Sequence, residues 1–209
     1  MFNDKSTFII NSYKQRKVLK EFEAVRIEAE KLRIPAVSIE ASQFIRTLVK
    51  TTHSKKILEV GTGNGYSSLC IESVLPSDAF LVTVENDLRR IKFARKNIEK
   101  HSNGQIFLVA GNGQSVFKTH EYFDFIFIDG RKYEYPQYIK LIGEVLKPNG
   151  TFLIDNAFFQ DMIFCEKPPE RFSRFVPKLR EMFELLLKDY SIEYSILDDF
   201  DGMVLGWKL

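Results

Sequence analysis

Two carboxylates and one amide, Asp129, Asp155 and Asn156, are the side chains of this sequence best suited to hold a cation. Asp129 closes the apolar run Phe123-Asp124-Phe125-Ile126-Phe127-Ile128, and Asp155-Asn156 closes Thr151-Phe152-Leu153-Ile154. Both runs have the length and residue types of strands. The three oxygens therefore fall at the carboxyl ends of two strands, where open α/β sheets bind ligands. Oxygen donors with no His or Cys among them make a hard site, suited to Mg2+, Mn2+ or Ca2+ rather than zinc. Taken singly, Asp129 would cap the segment after it and Asp155-Asn156 would form an Asx turn. The metal reading rests on their joint placement.

A second group of residues surrounds a glycine-rich turn, Glu59-Val60-Gly61-Thr62-Gly63-Asn64-Gly65-Tyr66-Ser67. Gly61 and Gly63 lack the Cβ atoms that would keep a ligand away from the backbone. A dinucleotide site would read Gly-x-Gly-x-x-Gly, its third glycine allowing close helix packing. Here Tyr66 stands where that third glycine belongs, and the acidic Glu59 disfavours a pyrophosphate. Glu59 suits the amino group of a methionine moiety instead. Glu85 ends the following strand, where a carboxylate accepts both hydroxyls of a ribose. Together these features favour S-adenosylmethionine over NAD, against the plainer reading of glycines that only permit a tight turn. Tyr66 and Phe158 either line such a pocket or fill the core.

The elements that must position these groups follow from the apolar pattern. Residues 1 to about 50 read as helices, with Phe22, Val25, Ile27 and Leu32 at roughly helical spacing. Ile34-Pro35 breaks them, and a second helix covers about Glu40 to Val49. From Lys56 short apolar runs alternate with amphipathic helices. Strands are expected at Lys56–Val60, Phe80–Glu85, Ile106–Ala110, Phe123–Asp129 and Thr151–Asp155. Helices are expected to about Val74, over Leu88–Lys100 with Ile91, Ala94 and Ile98 on one face, and over about Pro136–Leu146. Lys147-Pro148-Asn149-Gly150 is a turn signal. This alternation implies a parallel sheet with helices on both faces. A helix from about Ser173 to Lys188 should bury Val176, Leu179, Phe183 and Leu186, with Pro177 in its first turn. Ser191–Leu197 and Met203–Leu209, separated by a loop carrying Asp201-Gly202, should pair antiparallel.

Composition restricts the rest. The 209 residues carry 30 basic and 28 acidic side chains, with 19 Phe and 8 Tyr, which suits one globular domain over 1–209 and excludes a disordered or collagen-like chain. Cys70 and Cys165 cannot form a disulfide framework, and Cys70 reads as a small core residue. The longest apolar runs fall far short of the ~20 residues that span a membrane. The N-terminus has no apolar signal core, so a cytoplasmic location is expected. His53, His101 and His120 stand isolated and read as surface or capping residues. The first 50 residues hold ten basic and six acidic side chains, either a solvated helical face or a surface for RNA or a partner.

From Ile34 to the C-terminus the sequence resembles the magnesium-dependent catechol and caffeoyl-CoA O-methyltransferases, most closely the compact bacterial members. The similarity rests on Ile34-Pro35, the run Ile57 to Ser67, Val84-Glu85, the run Phe123 to Lys132 with Tyr135, Leu146 to Gly150, and Asp155-Asn156. It implies a Rossmann-like class I S-adenosylmethionine-dependent methyltransferase fold. The sheet would have seven mostly parallel strands and an antiparallel C-terminal hairpin, with residues 1–50 a helical extension packed on the core. By the same resemblance Asp129, Asp155 and Asn156 ligate the metal, and Lys132, with Asp129, serves the hydroxyl to be methylated. Glu59, Gly61, Ser67 and Glu85 hold the cofactor, joined by Thr62, Gly63, Gly65, Tyr66, Asn112, Gly113 and Asp129. Two positions depart from the family pattern. Gly111-Asn112-Gly113 replaces the usual Gly-Asp-Ala, removing a charge near the adenine, and Arg131 adds a cation beside Asp129.

The resemblance also implies a homodimer and leaves the acceptor open. A small catechol-like compound is one class. A tRNA wobble base, 5-hydroxyuridine, is another, because it too offers a hydroxyl beside a carbonyl. Arg131 and the cations of Lys167-Pro168-Pro169-Glu170-Arg171-Phe172-Ser173-Arg174 would meet phosphates in that case. A cofactor-binding protein without catalysis is the third reading, disfavoured by the complete metal–lysine set.

Overall fold

A computed structural model of the chain describes residues 17–113 and 122–209, together with 9 and 11–13. His120 and the cations Lys5, Lys14 and Arg16 lie outside the described residues. The strands order as β3-β2-β1-β4-β5-β7-β6 in one seven-stranded sheet. β1 with β4, β4 with β5 and β2 with β3 pair parallel, and β7 pairs antiparallel with β5 and β6, as the alternation and the C-terminal loop required. By contact the chain forms two compact units, Met1–Lys55 with Thr62–Ala110, and Lys56–Gly61 with Gly111–Leu209. No helix among the described residues is long and apolar enough to cross a membrane.

The first unit contains helices α1 (Lys17–Leu32), α2 (Ile39–Thr51), α3 (Tyr66–Glu72) and α4 (Leu88–His101), and strands β2 (Phe80–Glu85) and β3 (Ile106–Ala110). Ser38 caps α2 by accepting the Ala41 N–H at 3.1 Å, and Asp87 caps α4 by accepting from Arg89 and Arg90. In α4 the expected face of Ile91, Ala94 and Ile98 also takes in a polar residue. Ile91, Ala94 and Asn97 are buried, and Ile98 is half-buried. The reason is polar. The Asn97 amide donates to Glu28 Oε2 at 2.7 Å and to the Asn64 carbonyl at 3.0 Å, which ties α1 and α4 to the glycine turn. His101 meets Phe22 edge-on with ring centres 6.2 Å apart, His53 is exposed, and Cys70 is buried as expected.

The second unit contains β1 (Lys56–Val60), β4 (Phe123–Ile128), α5 (Tyr135–Val145), β5 (Leu146–Ile154), α6 (Val176–Lys188), β6 (Ile192–Leu197) and β7 (Met203–Lys208). The turn signal at Lys147–Gly150 lies inside β5 rather than before it. Leu146 pairs with Phe123 and Thr151 with Phe125, so the intervening residues bulge outward, with Asn149 at φ 62°. In α6 Val176, Leu179, Met182 and Leu186 are buried, Met182 in the second turn, and Phe183 is half-buried. Phe183 turns its ring toward Phe158 instead, with centres 6.3 Å apart. The register pairs Ile128 with Ile154, which brings Asp129 and Asp155, the residues just after them, to the same edge of the sheet.

Candidate functional site

In the first unit the glycine turn closes on Glu85. The Glu85 carboxylate is buried; its Oε2 accepts the Gly63 N–H at 3.0 Å, and its Oε1 accepts those of Asn86 and Asp87 at 2.9 and 3.0 Å. Carboxylate oxygens have about four acceptor positions, so capacity remains for a ribose hydroxyl. Gly63 (φ 59°) and Gly65 (φ 94°) take left-handed conformations, and a Cβ on Gly63 would approach the Pro35 carbonyl to 3.2 Å. Two expected cofactor residues point their hydroxyls inward. Thr62 Oγ1 lies 2.6 Å from Thr83 Oγ1, and Tyr66 OH lies 3.3 Å from Ser42 Oγ. Tyr66 is 2% exposed, which makes it a core side chain, and burial raises its phenol above the ordinary range. Ser67 is buried at the start of α3.

In the second unit Glu59 is fully buried on β1. Gly61 (φ 104°) has a reason the sequence did not show, since a Cβ there would lie 2.2 Å from the Asp129 carbonyl oxygen. Its bare backbone admits the β4 terminus that presents Asp129. Asn112 is exposed, and Gly113 is buried where a Cβ would meet the Tyr138 ring at 2.6 Å. Arg131 donates to Tyr133 OH at 2.7 Å, which directs it along the surface.

The chemically distinctive feature of this unit is a ring of oxygens around the Lys132 ammonium. Its Nζ lies 3.4 Å from Asp129 Oδ1, 3.3 Å from the Asp155 carbonyl and 3.5 Å from Asn156 Oδ1, and it donates to Tyr135 OH. Asn156 takes a left-handed φ of 51°, and its N–H donates to Asp155 Oδ1 at 2.9 Å. Burial, together with the neighbouring Asp129 charge, pushes Asp155 up to about 7. This is a place that favours added positive charge. Among the described residues no three His, Cys, Asp or Glu side chains converge; the donor set is two Asp and one amide, all hard oxygens. These donors fit a magnesium-type ion.

Two residues to which the sequence attached no role enter this geometry. Tyr135 is fully buried and donates to the Asp155 carbonyl at 3.0 Å; its spacing of three from Lys132 on a helical turn was the available signal. Asp201, in the β6–β7 connection, accepts the Gln160 N–H, and its charge adds to the upward push on Asp155; the sequence marks it only as part of the loop between two strands.

An O-methyltransferase family model matches residues 10–209. A catechol O-methyltransferase of Niastella koreensis is 28% identical over 186 residues, covering 83% of each chain. Caffeoyl-CoA O-methyltransferase 2 of Petunia hybrida is 26% identical, covering 82% of this chain and 76% of its own. Among solved structures, the O-methyltransferase of Bacillus cereus in complex with SAH superposes with a TM-score of 0.81 at 25% identity, covering 93% of this chain and 92% of that one. An O-methyltransferase of Streptomyces achromogenes in complex with SAM shares the fold with a TM-score of 0.80 at 21% identity, over 93% of this chain and 91% of that one. With a match that spans nearly its whole length, this enzyme belongs to the O-methyltransferase family.

Proposed function

We propose that this enzyme moves the methyl group of S-adenosylmethionine onto a hydroxyl that neighbours a second oxygen, as in a catechol. A divalent ion, Mg2+ in the first instance, would be held by Asp129, Asp155 and Asn156. The observation that carries the reading is the convergence of Asp129 Oδ1, Asn156 Oδ1 and the Asp155 carbonyl on one cation, the Lys132 ammonium. The names of the catechol and caffeoyl-CoA relatives support the acceptor class.

Methyl transfer from a sulfonium is an in-line displacement, so oxygen, carbon and sulfur must be aligned and the oxygen made anionic. When bound, the ion supplies Lewis acidity and a two-point clamp for adjacent oxygens. Asp129, Asp155 and Asn156 orient that clamp. Lys132, fixed by Tyr135, stabilises the oxyanion as an ammonium, or takes the hydroxyl proton when it is present as the neutral amine. Glu59, Gly61, Gly63, Ser67 and Glu85 are the residues assigned to the cofactor. Glu59 supplies charge for its amino group and Glu85 acceptors for its ribose.

The test is transfer of a labelled methyl group to a panel of catechols, run beside tRNA that lacks wobble modification. Catechol methylation that stops in EDTA and returns with Mg2+ is the expected result. Full turnover in EDTA would overturn the metal, and methylation of tRNA alone would move the acceptor to the wobble base.

A further inference from the structure

The segment that follows the Asp155-Asn156 donors is held in an unfavourable conformation. Phe159, Gln160 and Asp161 have φ values of 48°, 54° and 58°, three successive left-handed residues with no glycine among them. Opposite them, the β6–β7 connection has its own left-handed run, with Phe200 at 62°, Asp201 at 64° and Gly202 at 78°. The two segments are laced together. Ala157 N–H donates to the Gly202 carbonyl at 2.7 Å and Phe158 N–H to the Asp201 carbonyl at 3.0 Å, while Gln160 N–H donates to the Asp201 carboxylate.

Apolar packing completes the clamp. A Cβ on Gly202 would lie 2.4 Å from Phe158 Cγ, so the Phe158 ring rests directly on the connection. The Phe159 ring packs on Phe172 and Phe175, with centres 5.3 and 4.6 Å away. Asp201 is also within electrostatic reach of the donor cluster. Burial raises its carboxyl above the usual range, opposed by the Lys132 charge, and its own charge adds to the upward push on Asp155.

We infer that Asp201 is a positioning residue for the acceptor: by accepting the Gln160 N–H it holds the strained segment 159–161 as a fixed wall beside Asp155 and Asn156. This rests on the reaction proposed above. The carboxylate is the only side-chain anchor on the Gln160 amide recorded among the described residues. Left-handed backbone without such an anchor relaxes toward commoner conformations. The acceptor would then meet a mobile wall, while the cofactor residues on β1, β2 and the glycine turn would be untouched.

The experiment compares wild type, Asp201→Ala and Asp201→Asn for acceptor KM, kcat and cofactor affinity. Asp201→Ala should raise the catechol KM about tenfold, with kcat within about threefold and cofactor affinity unchanged. Asp201→Asn keeps an acceptor oxygen and should recover most of the loss. A wild-type KM in Asp201→Ala, a loss confined to kcat, or no rescue by Asn would overturn the assignment. Should Asp201→Ala not fold, Asp201→Glu keeps the charge but displaces the acceptor oxygen; a raised KM supports the assignment and a wild-type KM overturns it. A wild-type enzyme that ignores catechols would instead count against the proposed reaction, and loss of amide-exchange protection at Gln160 in the variants still reads the hold itself.

Discussion

The Lys132 ammonium donates to the phenol oxygen of Tyr135, and it also lies 4.7 Å from the centre of the same ring. Lys132 opens the 3-10 turn Lys132–Glu134 and Tyr135 begins α5, so the two side chains meet one turn apart. The Tyr135 hydroxyl in turn donates a hydrogen bond to the Asp155 carbonyl at 3.0 Å. Burial, with the Asp129 and Asp155 charges, raises its phenol well above the ordinary range, so it remains a neutral donor. One buried hydroxyl thus orients the lysine and secures the backbone of the paired donor.

Tyr135→Phe should remove both contacts while filling nearly the same volume. The Asp155 carbonyl keeps only the Lys132 donor at 3.3 Å, a net loss of about 0.5–1.5 kcal/mol, and Lys132 loses its fixed direction. Thermal unfolding should shift down by several degrees. The catechol kcat/KM should fall about tenfold, with cofactor affinity unchanged. Wild-type kinetics in this variant would separate Tyr135 from Lys132.

Asp155→Ala should abolish turnover while leaving the fold and cofactor binding largely intact, because it removes a charged donor from a site that gathers positive charge. Magnesium titration followed by calorimetry checks the cause. Wild type should bind one ion per chain and the variant none. Comparable binding in both would place the ion elsewhere.

Glu85→Ala should weaken S-adenosylmethionine binding tenfold or more, since a charge-assisted hydrogen bond contributes roughly 1.5–3 kcal/mol. The same carboxylate accepts the Gly63, Asn86 and Asp87 amides, so the melting temperature should fall as well. Glu85→Gln retains one oxygen acceptor and should lie between. Unchanged affinity, or tight binding of NAD, would remove the glycine turn from the cofactor site.

Gly61→Ala tests a purely steric claim. The added methyl would stand 2.2 Å from the Asp129 carbonyl oxygen at a φ of 104°, and backbone offers no easy relief. Destabilisation beyond about 2 kcal/mol is expected, read as loss of soluble protein or a large fall in melting temperature. Gly104, with a φ of 94° and nothing within 4 Å of a Cβ, is the control, carrying the strain without the clash.

Glu28 provides a pH test away from the chemistry. Burial acts to raise its carboxyl, but the Asn97 amide and the Lys96 hydrogen bond and charge prevail and hold it below its ordinary value of 4.5. A carboxyl lowered on folding stabilises the protein above its unfolded value, and that stabilisation fades as pH falls through the folded value. Wild type should therefore melt above Glu28→Gln at pH 7, and the gap should narrow only as pH falls below the ordinary value of 4.5, closing as the folded carboxyl takes up its proton. A gap that does not narrow at all on acidification would mean that the contact does not depend on the charge.

The amino-acid sequence by itself determined the strands Phe80–Glu85 and Ile106–Ala110, the antiparallel hairpin after Leu197, and the placement of Asp129, Asp155 and Asn156 just after two strands. Those features are local. An apolar run of strand length declares itself, and donor type follows from the residues that end two such runs. Side-chain partners across the fold were not local. Asn97 is buried on α4 beside Ile91 and Ala94 because Glu28 and the Asn64 carbonyl satisfy its amide. Met182 is buried on α6, while Phe183 is half-buried with its ring 6.3 Å from that of Phe158. The Lys147–Gly150 turn became a bulge once β4 supplied a partner on both sides of it. Gly61 was legible as a glycine needed for close approach, but only the tertiary structure showed that the approaching atom is the Asp129 carbonyl. Tyr135 reaches the Asp155 carbonyl 20 positions away and Asp201 the Gln160 amide 41 positions away, and composition and periodicity hold no record of such distances. Apolar spacing decides which elements form. Which polar group can be buried, and beside what, is decided only when the sheet closes and each donor must find an acceptor.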